Sequence, residues 1–344
     1  MPNDRNGTFR VGVTRDVRRP DGTFTFAPYD LTPLERHGIA WRFLEDDALT
    51  PEALTDVDGL YHYATQLPTP TLDAVDRLAV IARHGVGLDY LDVDACTERG
   101  IAVTITPGGV TRPMASSAAT LVLALGHRLR ERDRALHEGD WDAGRFRPQG
   151  TGLSGRTLGV IGYGRIGRET VRLLRPWEMR VVVAQRTPVD EDDVTHVPLD
   201  DLLRESDFVV VACPLTDETR GLLDRRRLGL MKPSAFLVNV ARGAIVDQAA
   251  LVEALRDERL AGAGLDVVDP EPLPADDPLL ALPHVIGAPH SLGYTDELIR
   301  GCVEQACESL IDVAAGRVPK NLANPQVVQN ARFVEKLERF RDRG

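Results

Sequence analysis

Cysteine is scarce in this chain: Cys96, Cys213, Cys302 and Cys307 are the four among 344 residues. None forms a C-x-x-C pair, and the Cys302–Cys307 interval is not the usual spacing of zinc ligands. A disulfide scaffold and a structural zinc site are both excluded on that basis, and no metal is expected. We read the four as small buried thiols in a reducing cytoplasm. Basic residues are in deficit, with Lys plus Arg 41 against Asp plus Glu 52 and a net charge of -11. Nucleic-acid binding needs a basic surface for phosphate contacts, so no nucleic-acid partner is expected. Long apolar runs are missing too. The longest, near residues 114–125, is interrupted by Ser and Thr and is too short to span a bilayer. The opening MPNDRNGTFRVGV has no apolar h-region, so neither a signal peptide nor a membrane role is expected. What remains is ordinary for a globular protein: 43% apolar and 27% charged residues, without a dominant repeat.

The length suggests about two domains. Short apolar runs at Phe9–Val13, Ala40–Leu44, Gly59–Tyr63, Val80–Arg83 and Gly100–Thr104 read as strands. Helical patterns lie between them: Leu31–His37, with Thr32 as cap and Pro33 at the first helical position, and Thr71–Leu78. Such alternation predicts a parallel sheet. One long helix is expected from Pro113 to His137, tolerating Gly126 inside it, followed by a loop from Gly139 to Ser154. A second series of strands follows at Leu158–Ile161, Arg180–Ala184, Phe208–Ala212, Ala235–Val240, Gly264–Val268 and Val285–Gly287, with a helix at Asp247–Arg256. It reads as a doubly wound α/β domain. A helix from Glu297 to Ala315 leads to a charged tail. Phe333, Leu337 and Phe340 recur there at helical spacing, as on an amphipathic helix packing on its own protein or on a partner.

Gly162-Tyr163-Gly164-Arg165-Ile166-Gly167 is a G-x-G-x-x-G sequence. It follows a predicted strand and opens a predicted helix, which is the context a dinucleotide site requires. Its glycines allow a tight turn and a close approach of the pyrophosphate to backbone N–H groups at the positive end of the helix. An NAD-specific site usually presents an acid about 20 residues further on. Here Gln185 stands at that point, followed by Arg186 and Thr187. A carboxylate would repel a 2′-phosphate, whereas Arg and Thr can pair with it, so NADP(H) is expected to be favoured over NAD(H). The other reading has Gln185 holding the ribose 2′-OH of NAD and Arg186 solvated.

Three later segments place reactive groups at strand ends, where doubly wound folds bind ligands. NVARGAIVD presents Arg242, GLDVVDPEP presents Asp266 and Glu271, and GAPHSLGYT presents His290. On these segments, in this order, the chain resembles the D-isomer-specific 2-hydroxyacid dehydrogenases over roughly residues 55–326. NVARGAIVD is the most specific of them. The resemblance implies an α/β protein of two doubly wound parallel-sheet domains, with a Rossmann-type cofactor domain (113–297) inserted into a discontinuous, flavodoxin-like substrate domain (1–112 and 298–344). It implies a cofactor held between the two, and Arg242, Glu271 and His290 as the catalytic trio. Asp266 would contact the nicotinamide carboxamide, and Pro214, Val240 and Ala241 would join the cofactor contacts.

The chemistry of these side chains suits such roles. Reducing a 2-keto acid takes a hydride, a proton and a grip on the carboxylate. Arg242 offers a planar, permanently charged fork. His290 can donate a proton to the developing alkoxide, and Glu271 beside it would favour the charged imidazole. Gly85-Val86-Gly87 would expose successive N–H groups as a nest for a carboxylate, and the resemblance gives Val86 and Gly87 that role. Tyr61, His62 and Tyr63 end a strand, and they read equally as packed aromatics or as lining the substrate pocket, Tyr63 above all. Asp89 and Asp92 read as turn and cap residues and His84 as structural.

The sequence departs from the family pattern at Ile105-Thr106-Pro107-Gly108, at Met114-Ala115-Ser116, at Ala212 and at Leu292, the last expected to narrow or dry the pocket. The expected activity is NAD(P)-dependent reduction of a 2-keto acid or oxidation of the 2-hydroxy acid. Two alternatives stand beside it: a dehydrogenase of another small anion, and a nucleotide-sensing protein like the corepressor branch of the family. Glu271 weighs against formate, since the formate enzymes carry Gln there. A homodimer is expected by resemblance, with the long helix and the Gly139–Ser154 loop as contacts.

Overall fold

The computed structural model describes residues 8–45, 48–142 and 149–342. The chain divides into two compact units, one formed by Met1–Val110 with Tyr294–Gly344 and the other by Thr111–Gly293.

The first unit is built on five parallel strands: β1 (Arg10–Val13), β2 (Ala40–Phe43), β3 (Gly59–His62), β4 (Val80–Arg83) and β5 (Ala102–Thr104). Their order is β2-β1-β3-β4-β5, so the chain reverses direction across the sheet between β1 and β3. β3, β4 and β5 are buried along their whole length, whereas the edge strand β2 alternates in exposure. Crossover connections put helices on both faces of a parallel sheet, which is why its inner strands read as unbroken apolar runs. The helix Asp296–Ala314, capped by Thr295, buries Leu298, Cys302, Val303, Ala306 and Leu310. The tail forms the helix Ala331–Arg341, and its apolar face packs on its own unit, with Phe340 edge-on to Phe9 at 4.9 Å between ring centroids. Lys336 on that face is buried, and its Nζ donates to the carbonyls of Leu78, Arg99 and Gly100 at 2.7, 3.1 and 3.2 Å. Burial pulls its ammonium down to about 8.

The second unit carries seven parallel strands: β6 (Thr157–Ile161), β7 (Arg180–Ala184), β8 (Thr195–His196), β9 (Phe208–Val211), β10 (Phe236–Asn239), β11 (Gly262–Leu265) and β12 (Val285–Gly287). The order β12-β11-β10-β9-β6-β7-β8 is the dinucleotide-binding arrangement with one strand added at an edge, and it reverses at β6. Two apolar layers cover the sheet, one around Leu237, Leu251 and Leu265 and the other around Leu121, Val160 and Phe208.

Several sequence expectations are corrected. The long helix is two: Pro107–Gly126 and Leu129–His137. The break falls at Gly126, whose carbonyl accepts from Thr151 N at 2.7 Å, and at Arg128, which is left-handed. Thr71–Leu78 yields only the single turn Thr69–Leu72. Thr32 is not a cap: it lies inside the helix Thr32–Arg36, and its N–H donates to Asp30 Oδ1 at 2.9 Å. The strand expected at Gly264–Val268 runs two residues earlier and ends at Leu265, the last residue paired with Asn239 on β10. Of the Gly139–Ser154 loop, residues 143–148 lie outside the described residues, as do residues 1–7 of the amino-terminal segment.

Candidate active site

In the second unit the candidate residues follow the carboxyl ends of neighbouring strands. Gly162 follows β6 with φ +91°. A Cβ at Gly162 would fall 2.5 Å from Cys213 N, and one at Gly167 would fall 2.3 Å from the Gly162 carbonyl oxygen. The turn therefore closes only with glycine at both positions, whereas a Cβ at Gly164 would meet nothing within 4 Å. The helix Arg165–Leu174 starts there with its N–H groups pointing out of the turn, and Arg165 and Ile166 form its first turn. This cradle fits a dinucleotide pyrophosphate. At the end of β7, Gln185 Oε1 accepts from Tyr163 N at 3.1 Å and its Nε2 donates to the Thr187 carbonyl at 2.9 Å. Arg186 is 86% exposed and lies 3.4 Å from Glu218. Pro214, after β9, accepts from Thr219 Oγ1 at 2.7 Å.

Past β10, Val240 is buried and Ala241 leads to Arg242. Asn239, buried at the strand end, organises that turn: its Oδ1 accepts from Ala241 N at 3.0 Å and its Nδ2 donates to the Arg242 carbonyl at 2.9 Å. The sequence reading missed Asn239. The signal was an amide ending a buried apolar strand just before a candidate arginine. Arg242 Nη1 donates to the Ala241 carbonyl at 2.7 Å. A Cβ at Gly243 would come within 1.9 Å of the Val268 carbonyl oxygen, so glycine there lets the Arg242 turn lie against the segment leading to Glu271.

His290 follows β12 in a left-handed conformation (φ +52°), its N–H donating to the Asp266 and Ala288 carbonyls at 2.8 and 3.0 Å. Its Nδ1 lies 2.9 Å from Glu271 Oε2, while Glu271 Oε1 accepts from Val268 N at 3.2 Å. Partial burial alone would raise the Glu271 carboxyl, but the hydrogen bond and charge of His290 bring it below its ordinary value. Asp266 is buried, and its Oδ1 accepts from Ser291 N and Leu292 N, both at 2.9 Å, so it holds the turn that carries His290. Leu292 packs on the apolar layer around Val160 and Phe208.

In the first unit the Gly85–Gly87 loop follows β4. Gly85 N donates to Thr106 Oγ1 at 2.7 Å, and the Gly87 carbonyl accepts from Arg83 Nε at 3.0 Å. The amides of Val86 and Gly87 donate to no protein acceptor among the described residues. Tyr61 and His62 are fully buried and do not line a pocket. Tyr63 is partly buried and bonds through its hydroxyl to Tyr294. His84 is structural as expected: it is buried, with Nδ1 2.7 Å from Tyr61 Oη. Asp92 caps its helix by accepting from Ala95 N at 2.9 Å. The four cysteines are free, and no group of metal-ligating side chains occurs among the described residues.

A doubly wound unit with a dinucleotide cradle, a carboxylate-supported histidine and an arginine at adjoining strand ends defines a nicotinamide-dependent oxidoreductase. Residues 119–291 match the D-isomer specific 2-hydroxyacid dehydrogenase NAD-binding domain. The glyoxylate reductase of Korarchaeum cryptofilum is 40% identical over 286 residues, 81% of this chain and 86% of that one. Among solved structures, the TT0316 protein of Thermus thermophilus is 38% identical with a TM-score of 0.81, covering 92% of this chain and 100% of that one. The NADPH-dependent glyoxylate/hydroxypyruvate reductase of Sinorhizobium meliloti is 29% identical with a TM-score of 0.79, covering 93% and 98%. The chain belongs to the D-isomer-specific 2-hydroxyacid dehydrogenase family, and it is an enzyme that transfers a hydride between a nicotinamide cofactor and a 2-hydroxy or 2-keto acid.

Proposed function

We propose that the enzyme reduces a small 2-keto acid of the glyoxylate type, with Arg242, Glu271 and His290 as its catalytic residues. The observation that carries the reading is the His290–Glu271 pair at 2.9 Å beside the turn that presents Arg242. The nicotinamide supplies the hydride when bound. With Nδ1 committed to Glu271, His290 keeps Nε2 for the substrate oxygen and delivers the proton there as the alkoxide develops. Arg242 polarises the carbonyl and binds carboxylate oxygen through its fork. The Val86 and Gly87 amides take the carboxylate, and Tyr63 borders the substrate. Asp266 faces the carboxamide of the nicotinamide. Gly162, Gly164, Arg165, Ile166 and Gly167 hold the pyrophosphate, and Gln185, Arg186, Thr187, Pro214, Val240 and Ala241 complete the cofactor contacts.

NADP(H) is the favoured cofactor. The absence of a carboxylate at Gln185, together with the exposed Arg186 guanidinium, supports this, as does the NADPH dependence named for the Sinorhizobium relative. The working form is a homodimer, supported by the large exposed side chains Leu129, Leu136 and Trp141 on and just after the helix Leu129–His137. Four free cysteines suit a cytoplasmic enzyme, and no helix among the described residues is long and apolar enough to cross a membrane.

Turnover of a panel of 2-keto acids with NADPH and NADH tests the reading. Reduction of glyoxylate with a higher kcat/KM for NADPH is expected. Cofactor binding without turnover of any 2-keto acid would favour a nucleotide sensor instead. Light scattering at the mass of a single 37.7 kDa chain would reject the dimer.

A further inference from the structure

The segment between β7 and β8 is acidic, with Asp190, Glu191, Asp192 and Asp193 in a row. It leads away from the end of β7, the place where a dinucleotide fold meets the ribose and its 2′ oxygen. Such a run repels a 2′-phosphate unless its charge is answered nearby.

Arginines on the neighbouring helix answer part of it. Glu191 is ion-paired with Arg168, and Asp193 with Arg175. Arg168 stands one turn into the helix Arg165–Leu174, its N–H donating to the Gly164 carbonyl at 2.9 Å. Its guanidinium lies over the Tyr163 ring, 4.5 Å from the centroid, and the Tyr163 hydroxyl donates to Glu191 Oε2 at 3.2 Å. Tyr163 is itself tied to the strand end, because its N–H donates to Gln185 Oε1. Arg168, Tyr163 and Glu191 therefore form one cluster against the glycine turn and beside Gln185. A pyrophosphate cradle does not require it, since glycines and helix amides suffice there. Nor does stability: Arg168 and Glu191 are 46% and 40% exposed, and ion pairs between exposed groups add little. An exposed pair can instead exchange its carboxylate for a phosphate oxygen, which the guanidinium fork binds at least as well.

We propose that Arg168 is a second cation for the 2′-phosphate of NADP(H), beside Arg186. Glu191 holds Arg168 over Tyr163 and competes with the phosphate for it. The proposal rests on the reading that NADP(H) is the favoured cofactor. Arg186 is arranged in the same way, 3.4 Å from Glu218, so each of the two cations carries its own carboxylate until an anion replaces it. All of these residues belong to the second unit. Neither Arg168 nor Glu191 stood out in the sequence, because they lie 23 residues apart and meet only where the segment after β7 folds back along the helix.

Titration calorimetry of the full chain with NADPH and with NADH tests this through the ratio of the two dissociation constants. Both side chains are exposed enough to be replaced without opening the core. In Arg168→Ala, and in the milder Arg168→Gln, NADPH should lose about tenfold or more relative to NADH, the size of one hydrogen bond to a charged group. Glu191→Gln should move the ratio the other way, about threefold to tenfold toward NADPH, because a competing like charge is gone. The double variant should fall between the two single ones. A ratio within about twofold of wild type in both Arg168 variants overturns the proposal, even where both nucleotides bind more weakly, since Arg168 would then only support the turn. A shift toward NADH in Glu191→Gln overturns the competition. A wild type that binds NADH as tightly as NADPH overturns the cofactor reading beneath, and needs no variant to be seen.

Discussion

His290 and Glu271, nineteen residues apart on two loops of the second unit, meet through Nδ1 and Oε2 at 2.9 Å. The contact fixes both the ring orientation and the nitrogen left for chemistry, since a carboxylate at Nδ1 selects the tautomer with its proton there. Neither residue is placed by its neighbours in sequence alone. Asp266 holds the His290 turn through two amides, and Val268 N anchors the other Glu271 oxygen.

Glu271→Gln removes the charge while keeping a group of the same shape. Positioned proton transfer contributes about a hundredfold or more, so kcat should fall by about tenfold to a hundredfold with KM for the keto acid changed much less. His290→Ala should fall further. Steady-state kinetics decide it, and wild-type turnover in either variant would reject the pair as proton donor.

Arg242→Lys keeps the charge but loses the planar fork. A drop in kcat/KM of about a hundredfold or more is expected for Arg242→Ala, with only partial recovery in Arg242→Lys, because a point charge cannot reproduce two parallel N–H bonds. Full recovery in the lysine variant would mean that charge alone matters.

Asn239→Ala leaves Ala241 N and the Arg242 carbonyl without their partners in a buried turn. Unmet buried groups of this kind cost about 1–3 kcal/mol each. The variant should unfold at lower denaturant and lose kcat/KM together, since the Arg242 turn loosens. A stable variant with normal kinetics would show that Asn239 does not position Arg242.

Gln185→Asp introduces the acid that the second strand end lacks. Repulsion of a 2′-phosphate should shift the NADPH-to-NADH ratio of kcat/KM toward NADH by about tenfold or more, about 1.4 kcal/mol. An unmoved ratio would place the ribose away from this side chain.

Acid stability carries a signature of the first unit. Burial, reinforced by the Arg83 charge, pulls His62 down to about 4 and His84 to about 3. Unfolding restores both to about 6.5, so the unfolded chain binds more protons between these limits. Stability conferred by the two neutral rings is complete above about 6.5 and is lost as pH falls toward 3. Denaturant titrations from pH 7 to 4 should show that slope, and His84→Gln should make it shallower. An unchanged slope would contradict the assignment.

Local information sufficed for much of this. A strand, G-x-G-x-x-G and a helix are contiguous, so the cradle at Gly162–Gly167 was legible directly. Arg242, Glu271 and His290 stood out as candidates because each follows an apolar run, and their family order supplied the proposed roles. Asn239 escaped because its function lies in hydrogen bonds made by a turn that the linear pattern does not display. The helix break at Gly126 escaped because the carbonyl there is claimed by Thr151, a residue twenty-five positions on.

By itself, then, the sequence determined the alternating strands and helices and the glycine turn, since these follow from backbone sterics and short-range apolar periodicity, and it named the candidate side chains. Tertiary structure decided which of them meet. The strand orders turn distant strand ends into neighbours, carrying Glu271 to His290. They also bring Phe26 and Tyr63 together with Tyr294, which lies 231 residues beyond Tyr63 in the chain. No spacing rule reports such encounters, because they are fixed by how the buried faces of each sheet pack and by where the chain returns to the unit it began in.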